Sequence, residues 1–308
     1  MRKKFLYLLF SLTMILASCN NQGVDMPDTK VALNAVVQEM LQYETRSIVG
    51  TDIYVGTATA GMKAAVWFSS EAGVYPPSNP ISPTFVPYRA NLTYDNGATI
   101  IYTKPDVMED PVSYVVEGDD RVYCVGLYPQ TGWTTNSANT IATHTIDGKQ
   151  DLMFAPQKSG SLLQKLEQQT YSHLLSWLRF TVRATDPESA TDWGQVTSIQ
   201  LVNAKGDVNI ILGTGAVAYS APTGNIEVLD APLDLTVAIQ DIGSSLCLPS
   251  ATGYKLKIIT DKGSEKILDI NGNFEAGKLY LVNLYFNSLD DINAVCSLVP
   301  WNEEDVIL

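Results

Sequence analysis

Short apolar runs separated by turn signals fill most of the chain from about residue 52 onward. The runs are rich in Val, Ile, Tyr, Thr and Trp, the residues that favour strands. Three segments have the form of hairpins, in which Asn-Gly, Lys-Gly or a longer loop with Gly separates two alternating strands: residues 91–103, 196–212 and 254–270. Hardly any helical pattern lies between successive strands. This pattern predicts an all-β fold made of antiparallel β-sandwiches.

Two longer strands are predicted at residues 176–184 and 278–286, because apolar side chains recur there at every second position. The alternating set is Leu178, Phe180 and Val182 in the first strand, and Tyr280, Val282, Leu284 and Phe286 in the second. Each strand therefore has one face suited to a core.

The chain length suits two domains of ordinary size, since it has 308 residues of which 45% are hydrophobic. Residues 155–169 carry Pro, Gly and charged side chains and separate two sets of strands. We therefore predict two tandem β-sandwich domains, residues 47–165 and 166–308. The apolar spacing of residues 31–42 favours a helix as much as a strand, and the spacing of residues 162–166 fits a short helix.

The N-terminus has the composition of an export signal. Arg2, Lys3 and Lys4 precede an apolar segment, residues 5–16, that is too short to span a bilayer as a helix. The tetrapeptide LASC then ends at Cys19 and looks like the lipobox of bacterial lipoproteins, in which the cysteine is acylated and becomes the new N-terminus. This predicts a signal peptide over residues 1–18, a lipid on Cys19 and membrane attachment through that lipid. The alternative is an ordinary secretory signal with an incidental cysteine.

The charge of the chain argues against two kinds of partner. The formal net charge is −13, and loss of residues 1–18 removes three basic residues and no acidic one, which leaves −16. So acidic a surface disfavours binding to nucleic acid and electrostatic docking on anionic lipid. No segment after the signal is apolar enough to predict a membrane span.

Three cysteines follow Cys19, and their spacing fits neither a zinc site nor a redox motif. Cys124 lies in an apolar strand-like run, where a buried cysteine behaves as a small hydrophobic residue. We expect the same of Cys247 and Cys296. One disulfide between two of the three is the alternative in an oxidising compartment.

The residues that most often carry catalysis are scarce. The chain has two histidines, His144 and His173, and neither lies near another metal-ligand residue in sequence, so structural roles are expected for both. GxSxG, HExxH and P-loop motifs are absent. Residues 208–218 resemble the start of a dinucleotide fingerprint, but Pro222 stands where the phosphate-binding helix should continue, which favours a turn between strands. The sequence therefore predicts a protein that is not an enzyme and that needs neither cofactor nor metal.

Two acidic patterns likewise predict loops. Residues 269–275 resemble a calcium loop, but Phe274 replaces the required Gly, so a turn is expected. The acidic pairs fall in polar loops or the tail, where solvated charge is the usual role: Asp119/Asp120, Asp290/Asp291 and Glu303/Glu304.

Aromatic residues support one alternative function. The fifteen Tyr and five Trp include clusters at residues 74–88 and 128–133, which could stack on sugars. In β-sandwiches most such residues pack in the core or at sheet edges. Glycan binding is therefore the second hypothesis, in the form of a permanently lipidated surface protein that presents two β-sandwiches to a glycan or a host protein.

Four features in order along the chain resemble the fimbrillin family, the subunits of type V pili. They are the lipobox at Cys19, the YETRSIV segment around Arg46, the strand YSHLLSWLRFTV, and the ending FEAGKLYLVNLYF followed by VPWNEED. The third feature matches the family pattern through His173, Leu175, Leu178, Phe180 and Val182, and the fourth through Gly277, Lys278, Tyr280 and Trp301.

The resemblance implies a transthyretin-like, two-domain pilus subunit that reaches the outer membrane as a lipoprotein precursor and then enters the fimbrium. An Arg-specific or trypsin-like protease would cleave between Arg46 and Ser47, so residues 19–46 would form a tether and removable segment. The alternative is that Arg46 is a basic residue in an exposed linker. Assembly with other pilus subunits would proceed by strand exchange, in which a strand of one chain pairs with the open sheet edge of another. Before cleavage residues 31–42 would fill the groove at this open edge. Residues 293–301 are a candidate donor strand, and Pro300 restricts that strand to a sheet edge or strand end.

Overall fold

The computed structural model describes residues 35–37, 63–75, 88–95, 99–103, 121–167, 169–287 and 291–299. Residues 35–37, 63, 88–95, 99–103 and 299 are described by their backbone alone. The described residues form strands and one short helix. The elements of the first half are β1 (Ala35–Val37), β2 (Lys63–Ser69), β3 (Tyr88–Asp95), β4 (Thr99–Thr103), β5 (Val122–Tyr128), β6 (Thr134–Thr135), β7 (Ile141–Thr145), β8 (Met153–Gly160) and β9 (Gln169–His173). Those of the second half are β10 (Ser176–Ala184), α1 (Pro187–Trp193), β11 (Gln195–Lys205), β12 (Asp207–Ile211), β13 (Ala216–Tyr219), β14 (Gly224–Glu227), β15 (Leu233–Asp234), β16 (Gln240–Cys247), β17 (Tyr254–Thr260), β18 (Glu265–Ile270), β19 (Leu279–Phe286) and β20 (Ile292–Val299).

Sheet I has seven strands in the order β1-β9-β8-β5-β2-β3-β4. The predicted hairpin over residues 91–103 is confirmed, since β3 and β4 pair antiparallel. β1 pairs parallel with β9, so residues 35–37 form a strand, and of the two alternatives for residues 31–42 the helix is wrong there. Residues 35–37 form a strand because β9 provides hydrogen-bond partners for their backbone.

Sheet II has the order β13-β12-β7-β6 and joins distant parts of the chain. β12 pairs antiparallel with β7 and with β13. The predicted hairpin over residues 196–212 is therefore wrong, because β11 and β12 follow one another in sequence but lie in different sheets. The expected turn between strands over residues 208–218 is confirmed as the β12–β13 hairpin.

Sheets III and IV contain the remaining described strands. Sheet III has the order β16-β10-β19-β20, and sheet IV has the order β14-β11-β17-β18, with β15 paired to β11. The predicted hairpin over residues 254–270 is confirmed as β17–β18. β10 and β19, the two long strands predicted from their alternation, pair in parallel over their length.

The buried side chains confirm the alternation of these long strands. The predicted inward residues of β10 and β19 are buried, and they belong to a hydrophobic cluster that contains side chains from all four sheets. Sheet I is buried on both faces around β2, since Ala65 and Trp67 lie in this cluster while Ala64, Val66 and Phe68 are fully buried outside it. Burial of both faces explains why β2 reads as a continuous apolar run.

The connection around the predicted domain boundary is irregular. Residues 162–164 form bends and residues 165–167 have no regular structure, so the short helix fitted to residues 162–166 is absent. β8 and β9 lie on opposite sides of position 165 and pair with each other in sheet I. Sheet II also combines strands from both sides of that position. The division into residues 47–165 and 166–308 stays a prediction.

Candidate functional site

The β1 edge of sheet I is the first feature of interest. Ala35 pairs with Gln169, Val36 with Thr170 and Val37 with Tyr171. β1 thus covers the backbone of β9 through a three-residue parallel ladder, a pairing that is slightly less stable per residue than an antiparallel one. Among the described strands, β1 is the last in the order of sheet I on this side.

On its other side β9 pairs with β8 over a short register, which joins Met153 to His173 and Phe154 to Ser172. Pro156 follows in β8, and a proline has no N–H to continue a ladder. The backbone alone therefore holds β9 weakly in the sheet.

Side chains of β9 compensate by reaching across β8 to β5. Gln169 donates from Nε2 to the carbonyl oxygen of Cys124 at 3.2 Å and lies 2.9 Å from its Sγ atom. The ring of Tyr171 lies over Gly126, where an added Cβ would stand 2.2 Å from the hydroxyl oxygen. Any side chain at Gly126 would displace this ring, so the glycine is required by the close approach. β9 is thereby anchored to the middle of sheet I.

The polar ends of these side chains are buried in an apolar setting. Within the described part of the chain, the hydroxyl of Tyr171 and Oε1 of Gln169 have no hydrogen-bond partner. Burial raises the pKa of Tyr171 well above its ordinary value and raises the pKa of the Cys124 thiol to about 12. These groups are neutral at physiological pH, which suits packing and not acid–base chemistry.

A buried hydrogen bond fixes the end of β9. Nδ1 of His173 lies 2.6 Å from Oδ2 of Asp151, and the two side chains are 1% and 0% exposed. The backbone N–H of Leu174 also donates to the carbonyl oxygen of Leu152 at 2.8 Å. His173 therefore ties β9 to the segment that precedes β8, in agreement with its expected structural role.

His144 also has a structural setting. Its Nδ1 atom lies 2.8 Å from the carbonyl oxygen of Thr145, and its ring packs edge-on against Trp133 at a centroid distance of 5.0 Å. Among the described residues, no group of three or more His, Cys, Asp or Glu side chains could hold a metal ion. No described helix is long and apolar enough to cross a membrane.

The β20 edge of sheet III is the second feature of interest. β20 pairs antiparallel with β19 along its whole length, from Leu279 opposite Val299 to Phe286 opposite Ile292. Among the strands that the structure describes it is the last in the order of that sheet, and it ends immediately before Pro300, as expected of a strand that precedes a proline at a sheet edge.

The side chains of β20 alternate about the sheet. Ile292, Ala294 and Cys296 pack against the core, while Val295 is 51% exposed. Residues 292–299 contain no charged side chain, although charges are a common protection of exposed edges. The strand predicted as a donor candidate is thus an uncharged edge strand.

The three cysteines that follow Cys19 are free. Cys124 and Cys247 are buried, and Cys296 is half-buried. The expected role as small core residues holds for the first two, and the alternative of a disulfide is not observed.

The aromatic cluster at residues 128–133 is packed inside the protein. Trp133 is 8% exposed and donates from Nε1 to the carbonyl oxygen of Pro129 at 3.0 Å, and Tyr128 is buried as well. These side chains offer no open platform for a sugar. Most of the other cluster, residues 76–87, lies outside the described residues.

The predicted modification sites also lie outside the described residues. They are the lipidated Cys19 and the cleavage pair Arg46 and Ser47. The structure instead brings out residues that sequence reasoning had not singled out at the β9 edge, namely Gly126, Asp151 and Gln169. The one sequence signal for the packing of Tyr171 over Gly126 is the strand-like RVYCVGLY run, in which Gly126 is the only residue without a side chain.

Comparisons with known proteins give one family and a set of similar structures. The family model described as fimbrillin-like matches residues 54–301. A candidate cell adhesion protein from Bacteroides uniformis is similar in structure with a TM-score of 0.56 and 15% identity, over 88% of this chain and 98% of that chain. One from Bacteroides ovatus has a TM-score of 0.56 and 14% identity, over 90% of this chain and 99% of that chain. At this level of identity the structures support the fold alone. No curated protein sequence matches.

Proposed function

The chain belongs to the fimbrillin-like family, and from this premise we propose that it is a subunit of a type V pilus that assembles by strand exchange at the β9 edge. Its role is structural or adhesive and not enzymatic. Its partners are other pilus subunits, and its place is a fimbrium at the cell surface.

The observation that carries this proposal is the origin of β1. β1 lies at residues 35–37, inside the segment predicted to be removed, and covers β9 by a three-residue ladder. Arg46 follows β1 in the chain, so cleavage after Arg46 cuts the covalent link between β1 and the remainder. Each backbone hydrogen bond contributes a net stabilisation of about 0.5–1.5 kcal/mol. A cleaved strand of three residues therefore dissociates from β9 at micromolar concentration.

Loss of β1 would leave the backbone groups of residues 169–171 open to another strand. β9 itself would stay in place, because Gln169 and Tyr171 anchor it across β8 to Cys124 and Gly126. A fixed strand with an open edge is the acceptor that β-augmentation requires. The donor in this proposal is residues 293–301 of another subunit, which pair through the outer edge of β20 while its inner edge keeps the ladder with β19.

The remaining parts of the pathway complete the proposal. The precursor is held at the outer membrane by a lipid on Cys19, and residues 19–46 serve as tether and removable segment. An Arg-specific or trypsin-like protease frees residues 47–308, in which residues 47–165 and 166–308 are the two domains. Removal of the segment that carries the lipid thereby links release from the membrane to opening of the acceptor edge.

The test compares the purified precursor before and after digestion with an Arg-specific protease. We expect a new N-terminus at Ser47 and a ladder of oligomers that dissociate on heating. Arg46→Ala should abolish both results. Lys30→Ala, a matched loss of a basic residue in the same segment, should leave both intact.

Two outcomes would contradict the proposal. One is a protein that is cut at Ser47 but stays monomeric at high concentration. The other is an uncleaved Arg46→Ala precursor that polymerises as well as the digested protein. Retained lipid on an unprocessed monomer at the native cell surface would favour the alternative of a permanently anchored binding protein.

A further inference from the structure

We infer that a cleft at one end of sheet IV is a binding site for a neutral saccharide, a role independent of strand exchange. The cleft has a volume of about 340 Å³ and lies where the β16–β17 loop meets the ends of β11 and β18. Pockets for small ligands begin at about 300 Å³, so this cleft suits one or two sugar rings.

The loop that shapes the cleft is fixed by backbone contacts. Ser250 and Phe274 exchange two backbone hydrogen bonds of 2.9 and 2.8 Å, and the hydroxyl of Ser250 donates to the carbonyl oxygen of Gly253 at 2.7 Å. Gly253 has a φ of +93°, and a Cβ there would stand 2.1 Å from the carbonyl oxygen of Ile270. Only glycine allows this approach, which closes the loop against the end of β18.

Tyr254, which lines the cleft, is held in place by neighbouring aromatic rings. The ring of Tyr254 lies against Phe274 at a centroid distance of 4.9 Å, and Phe274 lies against Tyr280 at 4.6 Å. The hydroxyl of Tyr254 is used in a hydrogen bond to the carbonyl oxygen of Leu248. The site is therefore formed before a ligand arrives, which lowers the entropic cost of binding.

Two amides on the walls supply hydrogen-bonding groups. Asn203 and Asn271 both line the cleft, and none of the hydrogen bonds among the described residues involves either side-chain amide. The backbone of Asn203 is left-handed, with a φ of 52°, and its N–H donates to Oδ1 of Asn225 at 3.1 Å. Each carboxamide offers both donors and an acceptor, the combination that neighbouring hydroxyl groups of a sugar need.

The charged and apolar groups of the cleft walls favour a neutral ligand over a charged one. Lys255 and Asp269 form an ion pair of 2.5 Å, so the two opposite charges at the cleft balance each other. A cation or an anion would gain little there, and the net charge of the chain further disfavours an anion. Pro222 and Pro249 add apolar surface for the C–H face of a sugar ring. A neutral, hydroxylated ligand fits all of these features.

The test is ligand-observed NMR with the purified full chain and millimolar methyl glycosides of glucose, galactose, mannose, fucose and N-acetylglucosamine. We expect saturation transfer to at least one of these neutral sugars and a weaker signal from methyl glucuronide, which adds a negative charge. Asn203→Gly, which keeps the left-handed backbone, and Asn271→Ala should each weaken binding by about tenfold. Asn136→Ala, an exposed asparagine between β6 and β7, should leave binding unchanged.

Circular dichroism of each variant separates loss of the ligand from loss of the fold. The inference is overturned if no neutral glycoside of the panel receives saturation, or if binding is unchanged in both cleft variants. A preference for glucuronide over every neutral sugar would overturn it as well. Because the uncleaved chain is used, these outcomes do not depend on whether the protein polymerises.

Discussion

The β9 edge of sheet I and the β20 edge of sheet III end their sheets in opposite ways. The first is covered by β1, a three-residue strand that pairs in parallel. The second is β20 itself, an eight-residue strand that pairs antiparallel with β19 along its whole length. A short parallel cover costs little to remove, whereas a long antiparallel strand is lost only with many hydrogen bonds.

The two edges also differ in how firmly side chains anchor the strand next to the edge. Tyr171 of β9 is fully buried and spans to Gly126, whereas Tyr285 of β19 is half-buried and lies under the guanidinium of Arg183 at 4.8 Å. The β9 edge is thus held by its side chains and the β20 edge by its backbone. A cover can leave the first edge without loss of the strand below it.

The largest effect should come from Tyr171→Ala. Removal of this ring leaves a cavity over Gly126, so we expect a loss of about 3–5 kcal/mol in the free energy of unfolding. Tyr285→Ala, the same substitution at the other edge, should cost about 1 kcal/mol or less, because it removes mainly a cation–π contact. Urea denaturation followed by fluorescence measures both variants. Equal losses would show that the two edges are not anchored differently.

The second effect compares a buried polar contact at the β9 edge with an exposed one in sheet III, on the side of that sheet away from β20. Asp151→Ala would leave the buried ring of His173 without its carboxylate partner, and we expect a loss of about 3 kcal/mol. The comparison is Arg179→Ala in β10, whose partner Asp241 is 45% exposed. Water and salt screen that pair, so its loss should be below about 1 kcal/mol. The contrast fails if Arg179→Ala is the more damaging change in the same denaturation experiment.

Local sequence patterns predicted strands better than they predicted partners. The hairpins β3–β4 and β17–β18 follow from alternation around a short turn, and both are present. The turn after β11 has the same appearance, yet β12 pairs with β7, a strand far earlier in the chain. A turn signal specifies a change of direction, while the choice of sheet depends on distant partners.

The candidate site was only partly predictable for a similar reason. The role of residues 31–42 as a strand in a groove followed from the resemblance, whereas their own spacing favoured a helix as much as a strand. The contact between Tyr171 and Gly126 joins two strands that do not neighbour each other in sheet I. Such a contact depends on the order of strands in the sheet, and no local pattern in the sequence encodes that order.

The smallest effect is a difference in the chemistry of the thiols. Burial raises the pKa of Cys296 in β20 to about 11 and that of Cys124 in β5 to about 12, both from an ordinary value of 9.0. Folding therefore favours the neutral thiols, and their contribution to stability is complete below pH 9 and falls as the pH rises toward 12. Cys296 is half-buried, so it should be alkylated by iodoacetamide before Cys124 as the pH is raised from 8 to 10.

Peptide mapping by mass spectrometry after timed alkylation gives the two rates separately. The urea-unfolded chain is the control, and there the two cysteines should react alike. A folded protein in which Cys124 reacts as fast as Cys296 would mean that the centre of sheet I opens as readily as the β20 edge. That result would remove the rigid acceptor on which strand exchange at β9 depends, since a strand can be added only to an edge that stays in place.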